Sequence, residues 1–222
     1  ESPVLSRDEF VHTACYCEEN VYHLIRQLRA VPSALFISNP ARLAPVWCQR
    51  ASSRPDGLVF WDYHVVAIDG SQNPPLVYDL DSKLDFPCSL PLYFEHALRP
   101  NSLVDQLLAR PMSERPGRLH RRYRLVSGQN LMRHFASDRR HMRHKSTGAW
   151  LAPPPAYPCI RGPWADSDHN LPRYLDMGAD DFAADAADAA DDDEEVAASA
   201  AIDGRFGKLL TESELLAEFA LA

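Results

Sequence analysis

The residues able to do nucleophilic and proton-transfer chemistry cluster in three short strings: TACYCEEN at 13–20, WDYHVV at 61–66 and VYDLD at 77–81. In chain order they supply a thiol, an imidazole and a carboxylate. A thiol attacks an amide carbon as thiolate, so it needs a base, and the base needs a group that fixes its tautomer. After Cys17 come Glu18, Glu19 and Asn20, and then Val21, Leu24, Ile25 and Leu28 recur on one helical face. This spacing predicts a helix beginning close to Cys17, with Thr13 and Cys15 ahead of it. At that position the positive end of the macrodipole favours thiolate. The plainer alternative is that Cys17 is a small buried hydrophobe.

Positioning the other two groups falls to a pair of strands. LVFWDYHVVAID (58–69) is rich in aromatic and β-branched residues and reads as one strand, PLVYDLDS (75–82) as another, with DGSQNPP as the turn. A hairpin with a symmetric loop from Asp69 to Pro74 sets His64 opposite Asp79 on one face, with Cβ atoms about 5 Å apart. Asp62 and Asp81 fall opposite each other on the same face, so both are rival orienters of His64. A register slip of one residue would undo the arrangement. The plainer reading is a core histidine beside a strand-end aspartate.

These residues resemble the protein N-terminal glutamine amidohydrolase family. The resemblance runs through CYCEEN (15–20), LFISN (35–39), Pro45 with Trp47, WDYHVV (61–66), YDLD (78–81), FPC (86–88), FASDR (135–139) with HM (141–142), and PPPAYPCI (153–160), in the family's order. It covers residues 12–160 well and about 205–219 weakly. It implies a catalytic triad of Cys17, His64 and Asp79, with the second cysteine of CYC as nucleophile. It also implies an α/β (α+β), transglutaminase-like fold related to papain-type thiol enzymes, with an antiparallel sheet and the nucleophile on an N-terminal helix. The implied activity converts an N-terminal glutamine of a protein to glutamate with release of ammonia, through a thioester. The new acidic N-terminus would feed the N-degron route. No metal and no organic cofactor are implied. The substrate's free α-amine needs an acidic partner, and Glu19, Asp62 and Asp81 are the candidates taken from the sequence.

Composition sets the frame. The chain has 222 residues, 45% of them hydrophobic, enough for one sizeable core. No apolar run reaches about 18 residues, so no membrane span is expected, and no secretory signal is visible. Cys15, Cys17, Cys48, Cys88 and Cys159 form an odd set without paired CxxC spacing. That argues against a disulfide framework or zinc site and for a reducing compartment; the expected locations are the cytoplasm and also the nucleus. A monomer is expected.

The net charge of −8 is local in origin: residues 174–204 hold 11 of the 31 acidic residues and no Lys or Arg, leaving 20 acidic against 23 basic residues elsewhere. The expected organisation is a catalytic core over 1–178, an acidic Ala/Asp-rich disordered insert over 179–203 and a C-terminal helix within 204–222 on the same domain. Thr211 with Glu214 gives that helix a capping box. GRLHRRYR (117–124) reads as a strand with a charged face, and RHFASDRRHMRHK (133–145) as a basic cluster; both are expected to be solvated faces, with no nucleic-acid partner. APPPAYP (152–158) reads as a polyproline strap over the core, and Trp47, Trp61 and Trp150 as core or strap contacts. Two alternative functions remain: a transglutaminase or protease using the same triad, and a non-catalytic reader of protein N-termini.

Overall fold

The computed structural model describes residues 6–28, 32–108, 117–178 and 204–221. The expected insert, 179–203, lies outside the described residues. The centre is a six-stranded, fully antiparallel sheet in the order β10-β7-β1-β4-β5-β6. Its strands are β1 (Ser33–Ser38), β4 (His64–Asp69), β5 (Leu76–Tyr78), β6 (Cys88–Ser89), β7 (Arg122–Val126) and β10 (Lys208–Leu210); β8 (Ala136–Ser137) pairs with β9 (Ile160–Arg161) outside it, and α3 (Asn101–Leu107) and α5 (Leu171–Tyr174) are short helices of the connections. The protein is α+β.

Alternation along the two central strands builds two cores. Ala34 and Phe36 of β1 and Val65 and Ala67 of β4 face one side, where α1 (Cys17–Gln27) and α4 (Gly128–His134) contribute Val21, Leu24, Ile25 and Leu131. Leu35, Ile37, Val66 and Ile68 face the other side. There they meet α2 (Leu90–Tyr93), the π-helical turn Phe94–Leu98 and α6 (Glu212–Glu218) through Leu90, Tyr93, Ala97, Leu98 and Leu215. Both faces of β4 are buried, which explains its unbroken apolar run VVAI.

The expected strand over 58–69 is two strands. Val59–Trp61 forms β3, which pairs with β2 (Ala44–Val46) in a separate small sheet, and β4 starts at His64. The break falls at Asp62 and Tyr63: the Asp62 carboxylate accepts the Tyr63 N–H at 3.0 Å, and Ser38 Oγ donates to the Asp62 carbonyl at 2.6 Å. These local bonds replace ladder bonds.

The hairpin register also differs from expectation. Ala67 pairs with Tyr78, Ile68 with Val77 and Asp69 with Leu76, two residues from the symmetric arrangement. The cause lies in the loop. The Asp69 carboxylate accepts from Ser71 N–H and Oγ at 3.0 and 2.6 Å, folding the chain back on one side and leaving 70–75 as the connection. A slip of two preserves the pleat faces, where a slip of one would have inverted them.

The C-terminal segment supplies an element that its pattern hid. Before α6 it forms β10, an edge strand on β7. Gly207 precedes it with φ +73°, at a point where a Cβ would collide with the Leu125 carbonyl. The capping box forms, with Thr211 Oγ1 accepting the Glu214 N–H and Glu214 accepting the Thr211 N–H. Leu215 and Phe219 pack on the core, while Leu216 is half-buried beside them.

The basic stretches divide: Arg118, Arg133, Arg140, Arg143, His144 and Lys145 are exposed as expected, whereas the arginines at 121, 122 and 124 are structural. Arg121 is buried and donates to the carbonyls of Pro45, Leu98 and Arg99. Arg122 donates to Met177 O, and Arg124 to the carbonyls of Tyr174 and Asp176. Carbonyls that lack ladder partners need donors, and a guanidinium supplies several at once. Trp47 is buried, Trp61 is half-buried, and Trp150 lies at the surface with the Arg143 guanidinium 3.8 Å above its ring.

Candidate active site

Helix α1 starts at Cys17, and the preceding residues prepare that start. Asn20 folds back, its side chain accepting the Thr13 N–H at 2.8 Å and donating to the Thr13 carbonyl at 2.9 Å. Cys15 has φ +69° and points into solvent, whereas Cys17 is buried. The Val65 backbone favours the Cys17 thiolate, which puts the sulfur near the start of β4, where His64 is the residue before Val65.

His64 is buried and stacks on Trp61, with ring centroids 5.4 Å apart. Its Nε2 lies 3.0 Å from Asp79 Oδ1. Its Nδ1 has no hydrogen-bond partner. Asp79 sits just past the end of β5, off the strand ladder, and its carboxylate reaches the ring from there although the register no longer sets it directly opposite His64. The carboxylate is a hub. Oδ1 also accepts the Asp81 N–H at 2.9 Å, and Oδ2 accepts Gln49 Nε2 at 3.1 Å and Tyr93 Oη at 2.8 Å. Gln49 and Tyr93 were not singled out in the sequence. They lie far from the motif, and only the packing of α2 and the 47–50 turn reveals them.

Burial alone would raise the Asp79 pKa, but the His64 charge and hydrogen bond, with Gln49 and the Asp81 N–H, hold it down at about 2. Burial likewise pushes His64 down, and Asp79, by charge and hydrogen bond, more than reverses it, so His64 sits above its ordinary value. Cys17 departs from expectation. Burial, reinforced by Glu18, Asp81 and Asp62, pushes its thiol well above the ordinary range, outweighing the helix start.

The acidic candidates separate clearly. Glu19 is fully buried, and both its oxygens accept from Arg139, at 2.9 to 3.2 Å. A substrate cation would have to displace that guanidinium to reach it. Arg139 also donates to the carbonyls of Pro155, Tyr157 and Pro158, so the pair ties the proline strap to α1. Asp62 is exposed, and Asp81 is half-buried with Oδ1 2.8 Å from His12 Nε2. Among the described residues, the group with metal-ligand chemistry is His64, Asp79 and Asp81, whose donor atoms lie within 4.8 Å of one another. Asp79 already accepts four hydrogen bonds and Asp81 is held by His12, so a cation would have to break them.

Glu18 is the residue that the motif reading passed over. It is buried and turned back toward Cys17: the thiol donates to Glu18 Oε2 at 3.8 Å, and Tyr63 Oη donates to the same oxygen at 2.9 Å. Its Oε1 has no hydrogen-bond partner, with His141 Nε2 3.4 Å away.

A buried imidazole–carboxylate pair beside a cysteine at a helix start, on an antiparallel α+β frame, is the equipment of a thiol enzyme. Comparison with known proteins narrows this. The family profile described as N-terminal glutamine amidase matches residues 12–219. A protein N-terminal glutamine amidohydrolase of Danio rerio is 41% identical over 180 residues, covering 78% of this chain and 82% of the relative. That of Arabidopsis thaliana is 40% identical over 196 residues, covering 81% of each, and that of Homo sapiens 37% over 182 residues, covering 77% and 80%. The chain belongs to the N-terminal glutamine amidase family. Among the described residues, no helix is long and apolar enough to cross a membrane.

Proposed function

We propose that this enzyme hydrolyses the side-chain carboxamide of an N-terminal glutamine in proteins and peptides, yielding glutamate and ammonia, through Cys17, His64 and Asp79. The observation that carries the reading is the His64–Asp79 pair. Asp79 holds Nε2 and leaves Nδ1 bare, and the next strand residue, Val65, is the one whose backbone favours the Cys17 thiolate. Nδ1 takes the thiol proton as sulfur attacks the carboxamide carbon. Free N–H groups of the first turn of α1 stabilise the oxyanion. His64 passes the proton to the departing ammonia, leaving a thioester. Water then attacks, its proton passing through His64 to the sulfur as glutamate leaves. Asp79 fixes the ring tautomer and stabilises the imidazolium. No metal or organic cofactor enters this scheme. Strand histidine, following aspartate and helix-start cysteine are also the arrangement of a transglutaminase-like fold, which we include in the proposal. In cells the acidic product would mark the protein for the N-degron route.

The test is ammonia release from Gln-initiated peptide against its acetylated and Asn-initiated counterparts. Only the free Gln N-terminus should turn over. Asparagine is one methylene short, and the lost near-attack geometry costs on the order of 10²-fold or more. Comparable turnover of acetylated or internal glutamine would favour a transglutaminase-type activity instead. Cys17→Ala should abolish the reaction and Cys15→Ala leave most of it; equal loss in two folded variants would remove Cys17 from its role.

A further inference from the structure

A glutamine side chain looks alike at any position in a protein, so an enzyme restricted to the N-terminal one must read the α-ammonium. Resting on the activity proposed above, we propose that Glu18 is that reader, and that its carboxylate exchanges the Cys17 thiol for the substrate's α-ammonium, so that a free N-terminus is what releases the nucleophile.

Reach supports this assignment. Four single bonds separate the α-nitrogen from the carboxamide carbon of glutamine, so the two can stand up to about 5 Å apart. Attack needs the carbon about 3–3.5 Å from sulfur. Glu18 Oε2 lies 3.8 Å from that sulfur, so one glutamine spans both contacts. Among the described residues, Glu18 is the acidic side chain in hydrogen-bond contact with the thiol.

Availability supports it too. Glu19 is occupied by Arg139, and Asp81 by His12. Glu18 keeps Oε1 without a hydrogen bond although the residue is 1% exposed. A buried carboxylate oxygen without a donor is costly, and a cation placed there is held strongly because water screens it little. Among the described residues, Oε1 has one ion-pair neighbour, His141 Nε2 at 3.4 Å, which also lies 3.3 Å from Tyr63 Oη; the His141 side chain is 20% exposed and stacks on His169, with centroids 5.5 Å apart. His141 sits on a short 3-10 turn at the surface (Arg140–Met142), so exchanging it for an ammonium at Oε1 requires its ring to swing outward and give up both contacts.

Electrostatics then couple recognition to chemistry. The groups facing Cys17 are Glu18 on its own helix and Asp62, Tyr63 and Asp81 from the β3–β4 and β5–β6 connections. All three carboxylates disfavour thiolate. An ammonium at Glu18 cancels the nearest of them, and the S–H proton is then free to pass to His64 Nδ1. Acetylated or internal glutamine brings no cation and leaves the thiol held.

The test has two arms. Thiolate formation at Cys17 is followed by ultraviolet absorbance, using Cys17→Ser as the blank. A norleucine-initiated peptide, which has a free amine and no carboxamide, should lower the apparent Cys17 pKa in the wild-type protein, and its acetylated form should not. No shift with the free amine overturns the proposal without any change at Glu18. In the second arm, Glu18→Gln should lose about 10²-fold in kcat/KM on Gln-peptide, mostly in KM, with Asp62→Asn and Asp81→Asn losing less. Its thiol should ionise at lower pH than wild type and no longer respond to norleucine peptide. Unchanged KM and unchanged preference for the free amine in a folded Glu18→Gln protein would overturn the assignment. Failure of wild-type protein to release ammonia from Gln-peptide would instead overturn the activity itself.

Discussion

At the scale of single residues, the site turns on Asp79. Its oxygens accept from His64, Gln49, Tyr93 and the Asp81 N–H, and all of these are donors to an anion. Asn at 79 would point an amide N–H at one of these donors and favour the wrong His64 tautomer. Asp79→Asn should therefore lose about 10²- to 10⁴-fold in kcat with the fold intact, and Asp81→Asn should lose less. Steady-state rates on Gln-peptide decide, and the opposite order would make Asp81 the orienter. The same electrostatics set the pH profile. In the proposed mechanism burial favours the Cys17 thiol, so His64 has to be neutral to accept its proton. Burial lowers the His64 pKa, but Asp79 and Asp81 raise it above its ordinary 6.5. Log kcat/KM should accordingly climb with pH through an apparent value above 6.5, and the limb should move to lower pH in Asp81→Asn. A profile flat from about pH 5 to 8 would contradict a neutral His64 base.

At the scale of elements, the Arg139–Glu19 pair joins α1 to the strap over 153–158. With side chains only 6% and 0% exposed, water screens the pair little. Arg139→Met strands a buried carboxylate and frees three carbonyls, and should destabilise the protein by about 3–5 kcal/mol in urea unfolding. Arg139→Lys should recover only part of this, since an ammonium cannot grip both Glu19 oxygens and the strap carbonyls together. A loss below about 1 kcal/mol for Arg139→Met would mean the strap is held by other contacts. The pair also ties the FASDR string to the strap, through the Pro155, Tyr157 and Pro158 carbonyls. The motif shows that an arginine is present; only the fold shows that it spends its charge on Glu19.

At the scale of the whole molecule, the chain leaves the described core at Gly178 and returns at Gly204, and β10 and α6 complete the sheet and one core. Residues 179–203 contain Phe182, Val196 and Ile202 among repeated Ala and Asp. Burying those three would return roughly 5–8 kcal/mol at most, against roughly 1 kcal/mol or more of backbone entropy per ordered residue. We therefore expect that replacing 179–203 with a short Gly/Ser link leaves turnover of Gln-peptide within about twofold. Collapse of activity, or slow hydrogen exchange across 183–201, would show that the stretch is part of the fold.

The sequence by itself determined what local rules govern. The 3.6-residue spacing after Cys17 starts a helix there, alternation makes the strands, Thr211 and Glu214 cap α6, and the order of thiol, imidazole and carboxylate points to the chemistry. The tertiary structure decided what depends on distance through space. The Asp69 side chain set the hairpin register, and the Asp62–Tyr63 break moved β3 into another sheet. Distant residues supplied Gln49 and Tyr93 to Asp79, and Arg139 to Glu19. Burial reversed the expected ionisation of Cys17, because a helix terminus acts weakly beside desolvation and three nearby carboxylates. Spacing along the chain encodes periodicity, whereas solvent exclusion and partner choice are properties of the packed molecule.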